Sequence, residues 1–138
     1  MAHNGTIFES EILAPYQYVQ NGTSDSERIL LYIVDEMNRF QKKYNKMPNT
    51  DERIQIVDDA IRNIVPGNKV NFMIYDGECF YVHKNEPGTM YMKESDGSVL
   101  FSTQPLELDG WKEVLQNRGV KKREKYLPIS FLLPKHIG

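Results

Sequence analysis

The sequence predicts an α+β fold in which two helices pack on an antiparallel β-meander. Three observations predict it: two consecutive segments with helical apolar spacing, a later switch to alternating apolar and polar residues, and two-residue turn signals between the alternating segments. The chain has 138 residues, of which 40% are hydrophobic and 26% are charged. This size and balance are typical of one globular domain, residues 1–138.

The first 23 residues contain Pro15 and Gly22 and predict a short strand followed by an irregular segment. From Ser24 the spacing becomes helical, and Ser24 with Glu27 matches a capping box, in which each side chain accepts a hydrogen bond from a backbone amide at the helix start. We therefore predict a first helix over residues 24–45. Its apolar stripe consists of Ile29, Leu30, Ile33, Val34, Met37, Phe40 and Tyr44.

A second helix is predicted over residues 51–64, after a Pro-Asn break. Thr50 is expected to cap it, and Asp51 and Glu52 place negative charge in its first turn, where the helix dipole favours such charge. A Pro-Gly pair ends it. Its buried side is predicted to contain Ile54, Val57, Ala60, Ile61 and Ile64.

Four strands are predicted to follow, near residues 69–75, 79–84, 89–94 and 98–103. Asp76 and Gly77 form a strong hairpin signal, and a Pro-Gly and an Asp-Gly pair mark the other two breaks. Strands joined in this order predict an antiparallel meander. After Pro105 the pattern weakens to a helical turn or strand around residues 111–115, a charged run and an apolar end.

The charge and hydropathy of the chain exclude some classes of partner. The formal net charge of -2 gives no global bias toward nucleic acid or anionic membranes. No apolar stretch approaches the roughly 20 residues that a membrane-spanning helix needs. We therefore expect a cytoplasmic protein with no nucleic-acid or membrane partner.

Cysteine and histidine are too sparse to predict a metal site or a catalytic dyad. The lone cysteine, Cys79, cannot form an intramolecular disulfide or a thiolate zinc cluster. His83 is four residues away, which along a strand is roughly 13 Å, whereas a nucleophile and its base must approach to about 3 Å. With His3 and His136 it shows no metal-binding spacing. We predict no metal, no cofactor, and a packing role for Cys79.

Two short motifs carry candidate chemistry. The side-chain amide of Asn4 and the unobstructed backbone N–H of Gly5 can both point at one developing oxyanion, although Asn-Gly is also a common turn. Asp25, in the first turn of a helix, can pair with the ammonium group of a free amino acid or simply complement the helix dipole. Arg28 can pair with a substrate carboxylate or with a neighbouring acidic side chain, and the sequence assigns it no role.

The sequence resembles the class II glutamine amidotransferases in four ordered segments: AHNGTIFE, TSDSERILLYIVDEMN, IVPGNKVNFMIYDGECFYVHKN and VLFSTQPL. The similarity is closest to the short, stand-alone bacterial branch. It covers residues 2–106 and leaves residues 107–138 as a divergent tail. The resemblance implies a partial N-terminal-nucleophile hydrolase (αββα) fold and hydrolysis of the glutamine amide, with ammonia released or transferred.

The resemblance also implies roles for four residues. Asn4 and Gly5 match the family's oxyanion hole, and Asp25 matches the aspartate that holds the glutamine amino group. His3, which precedes the oxyanion pair, is expected to take part in substrate binding. Glutamine is accordingly the expected small-molecule ligand.

The family mechanism requires a cysteine at the mature N-terminus, with its own α-amino group as base. The chain opens with Met1 and Ala2, and Cys79 is internal, so we expect an incomplete domain that is inactive alone. Such a domain would expose apolar surface, which favours self-association or a complementary N-terminal chain. The alternatives are a non-catalytic remnant that binds an amino acid or a protein, and a structural remnant without a ligand.

Overall fold

A computed structural model of the protein describes residues 1–114 and 131–133. The chain divides into two compact units, Met1–Lys69 and Val70–Gly138. Neither of the two described α-helices is long and apolar enough to cross a membrane. The predicted α+β class is confirmed, with two helices and two small antiparallel sheets. The elements in chain order are β1 (Ala2–Thr6), a 3-10 helix (Ala14–Tyr18), α1 (Asp25–Tyr44), α2 (Thr50–Ile64), β2 (Lys69–Tyr75), β3 (Phe80–His83), β4 (Tyr91–Ser95), β5 (Ser98–Ser102), β6 (Trp111–Glu113) and β7 (Phe131–Leu133).

The first unit is built on the two helices, which pack against each other, with the 3-10 helix and β1 packed on α1. Tyr16 and Tyr32 meet with their ring centroids 6.0 Å apart, and the hydroxyl of Tyr32 accepts a hydrogen bond from Asn63. The apolar side chains buried in this unit are Leu13, Tyr16, Ile29, Tyr32, Ile33, Val57, Ala60, Ile61 and Ile64.

The buried face of α1 is narrower than the predicted stripe. Ile29 and Ile33 are buried as expected, but Leu30 and Val34 are 37% and 45% exposed. Successive helical residues point about 100° apart, so a stripe that includes both members of an adjacent pair is wider than the face that packs. Tyr32, outside the predicted stripe, is buried in their place.

The predicted capping box of α1 forms only in part. Ser24 caps the helix as predicted, and its hydroxyl accepts from the Glu27 N–H at 3.3 Å. The Glu27 carboxylate does not complete a box with Ser24. It accepts from the backbone N–H groups of Asn21 and Gly22 instead, at 2.7 and 2.8 Å. The acidic residue of the motif therefore fixes the loop that precedes the helix.

A complete capping box forms at α2, one residue earlier than predicted. Asn49 is the N-cap, its side chain accepts from the Glu52 N–H at 3.0 Å, and the Glu52 carboxylate accepts from the Asn49 N–H at 2.8 Å. Thr50, the predicted cap, is the first helical residue. The prediction chose the wrong one of two adjacent residues that both favour caps.

In the second unit the predicted strands are present, but they form two sheets rather than a four-strand meander. β2 and β3 form an antiparallel hairpin in which Tyr75 is paired with Phe80, and the turn contains Gly77 at φ 98°. The other edge of β3 is paired with β7. The second sheet has the order β5-β4-β6.

β3 and β4 do not pair with each other because each already has a partner strand on both edges. Both outer edges are already occupied, that of β3 by β7 and that of β4 by β6. The connecting segment is held by side chains: Asn85 accepts from the Val70 N–H at 2.8 Å, and Glu113 accepts from the Gly88 N–H at 2.6 Å. Glu113 also pairs with the buried Lys84. Only the 131–133 part of the predicted apolar end lies within the described residues.

The two sheets of the second unit share one apolar cluster. Phe80 and Phe101, one from each sheet, stack with their centroids 5.9 Å apart. The buried members are Val82, Met90, Met92 and Val114, with Met73, Phe80, Val99 and Phe101 packed against them.

A single buried amide, that of Asn68, holds the chain after β1 against the end of α2. Its Oδ1 accepts from the N–H groups of Phe8 and Glu9, at 2.7 and 3.3 Å. Its Nδ2 donates to the carbonyls of Glu9 and Ile64, at 2.9 and 2.7 Å. Segments almost 60 residues apart in the sequence are thus joined by one side chain.

Asn68→Ala is therefore expected to destabilise the protein. It leaves several backbone groups without their partners, and each buried unsatisfied group costs about 1–3 kcal/mol. Urea unfolding followed by circular dichroism measures the free energy of unfolding. Asn38→Ala, an exposed position on α1, is the matched control and should change it by less than about 0.5 kcal/mol. Equal stability of the two variants would contradict the role of Asn68.

Candidate functional site

The predicted site residues lie where β1 meets the first turn of α1. His3 is half-buried, and its Nδ1 lies 3.1 Å from the hydroxyl oxygen of Ser26. Asp25 is also half-buried, and its Oδ2 accepts from the Ile7 N–H, just after β1, at 3.3 Å. The structure thus brings together His3 and Asp25, which are far apart in the sequence.

Gly5 is required by packing against the backbone of Lys69. A Cβ atom at this position would lie 2.0 Å from the carbonyl oxygen of Lys69 and 2.8 Å from its carbonyl carbon. Gly5 is not among the residues with positive φ. The absence of a side chain therefore allows close approach of two backbone segments, a reason that the sequence did not reveal.

Asn4 is exposed to solvent. Because successive side chains of a strand point to opposite faces, its side chain lies on the face of β1 opposite His3. The structure therefore does not gather the side chain of Asn4 with His3 and Asp25. Its part in an oxyanion hole stays a prediction.

His3 is held in an environment that disfavours its charged form. Burial lowers the pKa of the imidazole, and the Asp25 carboxylate and the Lys69 carbonyl oppose this only in part. Nε2 is buried, and within the described residues no partner meets hydrogen-bonding geometry. His3 is consequently biased toward the neutral ring beside the Asp25 carboxylate.

Arg28, which the sequence left without a role, pairs with Asp25. Its Nη2 lies 3.5 Å from Asp25 Oδ1, and its Nε donates to Gln20 Oε1 at 2.7 Å. Two other acidic side chains near Arg28 in the sequence have other partners: Glu27 accepts from the backbone of the preceding loop, and Asp35 accepts from the hydroxyl of Tyr16 at 2.9 Å. Asp25 therefore carries one backbone donor and one guanidinium.

Comparison with known families shows the family of the chain. A family model described as "Glutamine amidotransferases class-II" matches residues 1–101. The chain belongs to the class II glutamine amidotransferase family. The match includes the whole of β1, α1 and α2 and continues through β2, β3 and β4 into β5. No curated protein and no solved structure gives a match.

Sequence reasoning missed two side chains that contact residues of the candidate site: Ser26, which contacts His3, and Gln20, which accepts from Arg28. Ser26 is 23 residues from His3, and Gln20 is in an irregular loop, so neither belongs to a periodic pattern. The only available signal was the SDSE segment, which placed Ser26 in the first turn of α1 next to Asp25.

The first unit of the amidotransferase also has a groove of about 510 Å³, lined by Glu11, Ile12, Pro15, Tyr16, Val19, Tyr32, Asp35 and Arg39. Burial, together with the hydrogen bond to Asp35, raises the pKa of Tyr16 to about 12. The residues that line it do not include His3, Asn4, Gly5 or Asp25. The groove is thus a separate feature of the helical unit.

Cys79 and His83 are both buried, and they occupy opposite ends of the β3 region. The Cys79 N–H donates to Asp76 Oδ1 at 2.7 Å in the hairpin turn, while the His83 ring stacks on Phe72 at 5.4 Å. In the part of the chain that the structure describes, no group of three His, Cys, Asp or Glu side chains is arranged to hold a metal ion. His136 lies outside that part.

Gly5→Ala is expected to lower the midpoint of thermal unfolding, because the new methyl group overlaps the Lys69 carbonyl and the two backbone segments must move apart. Overpacking of this kind costs about 1–3 kcal/mol. Differential scanning calorimetry measures the effect, with the exposed neighbour Asn4→Ala as control. A midpoint for Gly5→Ala equal to that of Asn4→Ala would contradict the close packing.

The lowered pKa of His3 predicts how the free energy of unfolding depends on pH. The unfolded chain, with His3 at its ordinary value of 6.5, binds a proton more readily than the folded protein does. The free energy of unfolding should therefore fall as the pH falls through 6.5 toward the folded pKa, and it should recover above 6.5. Urea unfolding between roughly pH 5 and 8 compares the wild type with His3→Gln, which cancels contributions of other groups. Parallel profiles of unfolding free energy against pH for the two proteins would contradict a lowered pKa for His3.

Proposed function

We propose that this chain forms the glutamine-binding and amide-polarising part of a class II amidotransferase site, at which the glutamine side-chain amide is hydrolysed and ammonia is released or transferred. The observation that supports it best is the position of Asp25. Its half-buried carboxylate lies at the start of α1, beside the strand that carries Asn4 and Gly5. Family membership supplies the reaction class.

The proposed chemistry places negative charge on the amide oxygen of glutamine. A thiol gives its proton to a base and attacks the amide carbon as the thiolate, the carbonyl double bond opens, and the oxygen carries the charge. The base then gives that proton to the amide nitrogen, the C–N bond breaks, ammonia leaves, and water hydrolyses the thioester to glutamate and the free thiol. Asn4, through its side-chain NH2, and Gly5, through its backbone N–H, are the proposed donors to that oxygen. Loss of one such donor typically costs about 2.7–4 kcal/mol of transition-state stabilisation.

Asp25 is the proposed partner of the α-ammonium group of glutamine. A carboxylate offers about four lone-pair positions, and the bonds to Ile7 and Arg28 leave acceptor capacity at Asp25. His3 supports this role because a neutral imidazole does not compete with the ammonium group for the carboxylate. The Asp25 carboxylate can therefore accept from an ammonium group in addition to its contact with Arg28.

The nucleophile is the part of the reaction that these residues do not provide. Cys79, the one cysteine of the sequence, is buried and internal, so it has no α-amino group of its own to act as base. We therefore propose that these 138 residues bind glutamine without turnover, and that the attacking thiolate belongs to a segment outside them.

Isothermal calorimetry and an ammonia assay test this proposal together. The chain should bind L-glutamine without releasing ammonia, and Asp25→Asn should abolish binding because the ammonium group loses its counter-charge. Asp59→Asn, an exposed position on α2, is the matched control and should bind normally. Ammonia release should begin only when a family N-terminal segment that starts with cysteine is added.

Four results would contradict the proposal. Ammonia release by the chain alone would show that its own residues include a nucleophile. Normal binding by Asp25→Asn would remove Asp25 from the site. If glutamine does not bind even after the N-terminal segment is added, a structural remnant without a ligand is favoured. If glutamine binds but is not hydrolysed after that addition, the non-catalytic alternative is favoured.

A further inference from the structure

The groove beside the 3-10 helix of the first unit has no part in the proposed function. Its volume of about 510 Å³ is within the roughly 300–1,000 Å³ usual for small-molecule sites. One wall comes from residues 11–19 and the other from α1, on which the 3-10 helix packs. Leu13 and Tyr16 are buried and attach the first wall to the unit. The groove is therefore formed before any ligand binds, which limits the entropy that binding costs.

The lining of the groove is largely apolar and aromatic. Ile12 and Val19 line it and are nevertheless 38% and 66% exposed to solvent. Tyr16 and Tyr32 also line it, with their ring centroids 6.0 Å apart and their planes tilted by 56°. Covering exposed apolar side chains removes them from water, which is favourable. The lining thus favours a ligand with a hydrocarbon body.

The charged side chains of the groove leave negative charge uncompensated. Arg39 pairs with Glu36, with 2.6 Å between Nη1 and Oε1, so its positive charge is already offset. Asp35 Oδ2 accepts from the Tyr16 hydroxyl at 2.9 Å. Burial and this bond raise the pKa of Tyr16 to about 12, so the phenol remains a neutral donor that orients the carboxylate. In the part of the chain that the structure describes, Asp35 Oδ1 and the exposed Glu11 carboxylate have no hydrogen-bonding or ionic partner.

We propose that this groove binds a small organic cation, an alkylammonium ion whose charged group contacts the Asp35 carboxylate and whose apolar body covers Ile12 and Val19. An ammonium group donates charge-assisted hydrogen bonds to a carboxylate, and the face of a tyrosine ring attracts a cation within about 6 Å of its centre. An anion is repelled by the same carboxylates. The inference does not rest on the proposed function, because the lining includes none of the candidate glutamine-site residues.

Three probes of similar shape and different charge test the assignment. At pH 7, 2-phenylethylamine is a cation, 2-phenylethanol is neutral and phenylacetate is an anion. Titration of the ¹⁵N-labelled chain, followed by amide NMR spectra, measures the affinity and the location of each probe. The amine should bind about tenfold or more tightly than the alcohol and shift the amides of Ile12 and Val19. Phenylacetate should leave the spectrum unchanged.

Asp35→Asn separates the charge of the groove from its shape. The variant keeps a side-chain oxygen that accepts from Tyr16 but removes the negative charge. It should weaken the amine roughly ten- to hundredfold and leave the alcohol nearly unchanged, since a charged hydrogen-bonded pair is lost only for the first probe. An equal loss of both probes would show that the substitution alters the groove itself and would overturn the role of Asp35.

Two further variants provide a second test and a control. Glu11→Gln removes an exposed charge and should weaken the amine by a smaller factor, because solvent screens that charge. Asp59→Asn removes an exposed carboxylate on α2 and should bind every probe as the wild type does. Should Asp35→Asn fail to fold, the wild type with three probes and Glu11→Gln still decide.

Several outcomes would overturn the cation site. Equal affinity of the wild type for the amine and the alcohol would remove the role of charge. Absence of amine binding, or amine-induced shifts at Ile7 and β1 instead of Ile12 and Val19, would remove the groove as the site. The two proposals remain distinguishable, because Asp35→Asn should bind L-glutamine as the wild type does.

Discussion

The geometry of the candidate site depends on the attachment of the N-terminal strand to the helices of the first unit. Asn68 fixes the chain that leaves the strand, through hydrogen bonds with Phe8 and Glu9. Gly5 allows the strand itself to lie in contact with the Lys69 backbone. These contacts contribute to the position of β1 beside α1, where His3 contacts Ser26 and the Ile7 N–H donates to Asp25.

This attachment also sets the electrostatics of the site. A half-buried His3 is biased toward its neutral form, so the Asp25 carboxylate beside it has one fixed cationic neighbour, the guanidinium of Arg28. That guanidinium is in turn oriented by Gln20 and by a loop that Glu27 holds. A negative and a positive charge, those of Asp25 and Arg28, therefore lie side by side in the first turn of α1.

Most of the secondary structure and the family could be predicted from the sequence, because helical periodicity, caps and turn pairs act over a few residues. One failure is a local choice between adjacent residues, and another is made by tertiary contacts. The N-cap of α2 is Asn49 rather than Thr50, because the capping box with Glu52 satisfies two backbone N–H groups there. The meander divided into two sheets because β7 and β6 occupy the edges that β3 and β4 would have shared.

The same limit applies to the site. The proposal of Asn4, Gly5 and Asp25 as site residues follows from local motifs, whereas the packing reason for Gly5 and the support of Arg28 by Gln20 depend on contacts that no sequence pattern records.

The central claim is that the corner between β1 and α1 binds glutamine. Titration of the ¹⁵N-labelled chain with L-glutamine, followed by amide NMR spectra, tests it most directly. The account predicts saturable shifts of the Ile7 amide, which donates to Asp25, and of neighbouring amides in β1 and the first turn of α1. Shifts confined to the groove around Ile12 and Val19, or a spectrum that glutamine leaves unchanged, would contradict it.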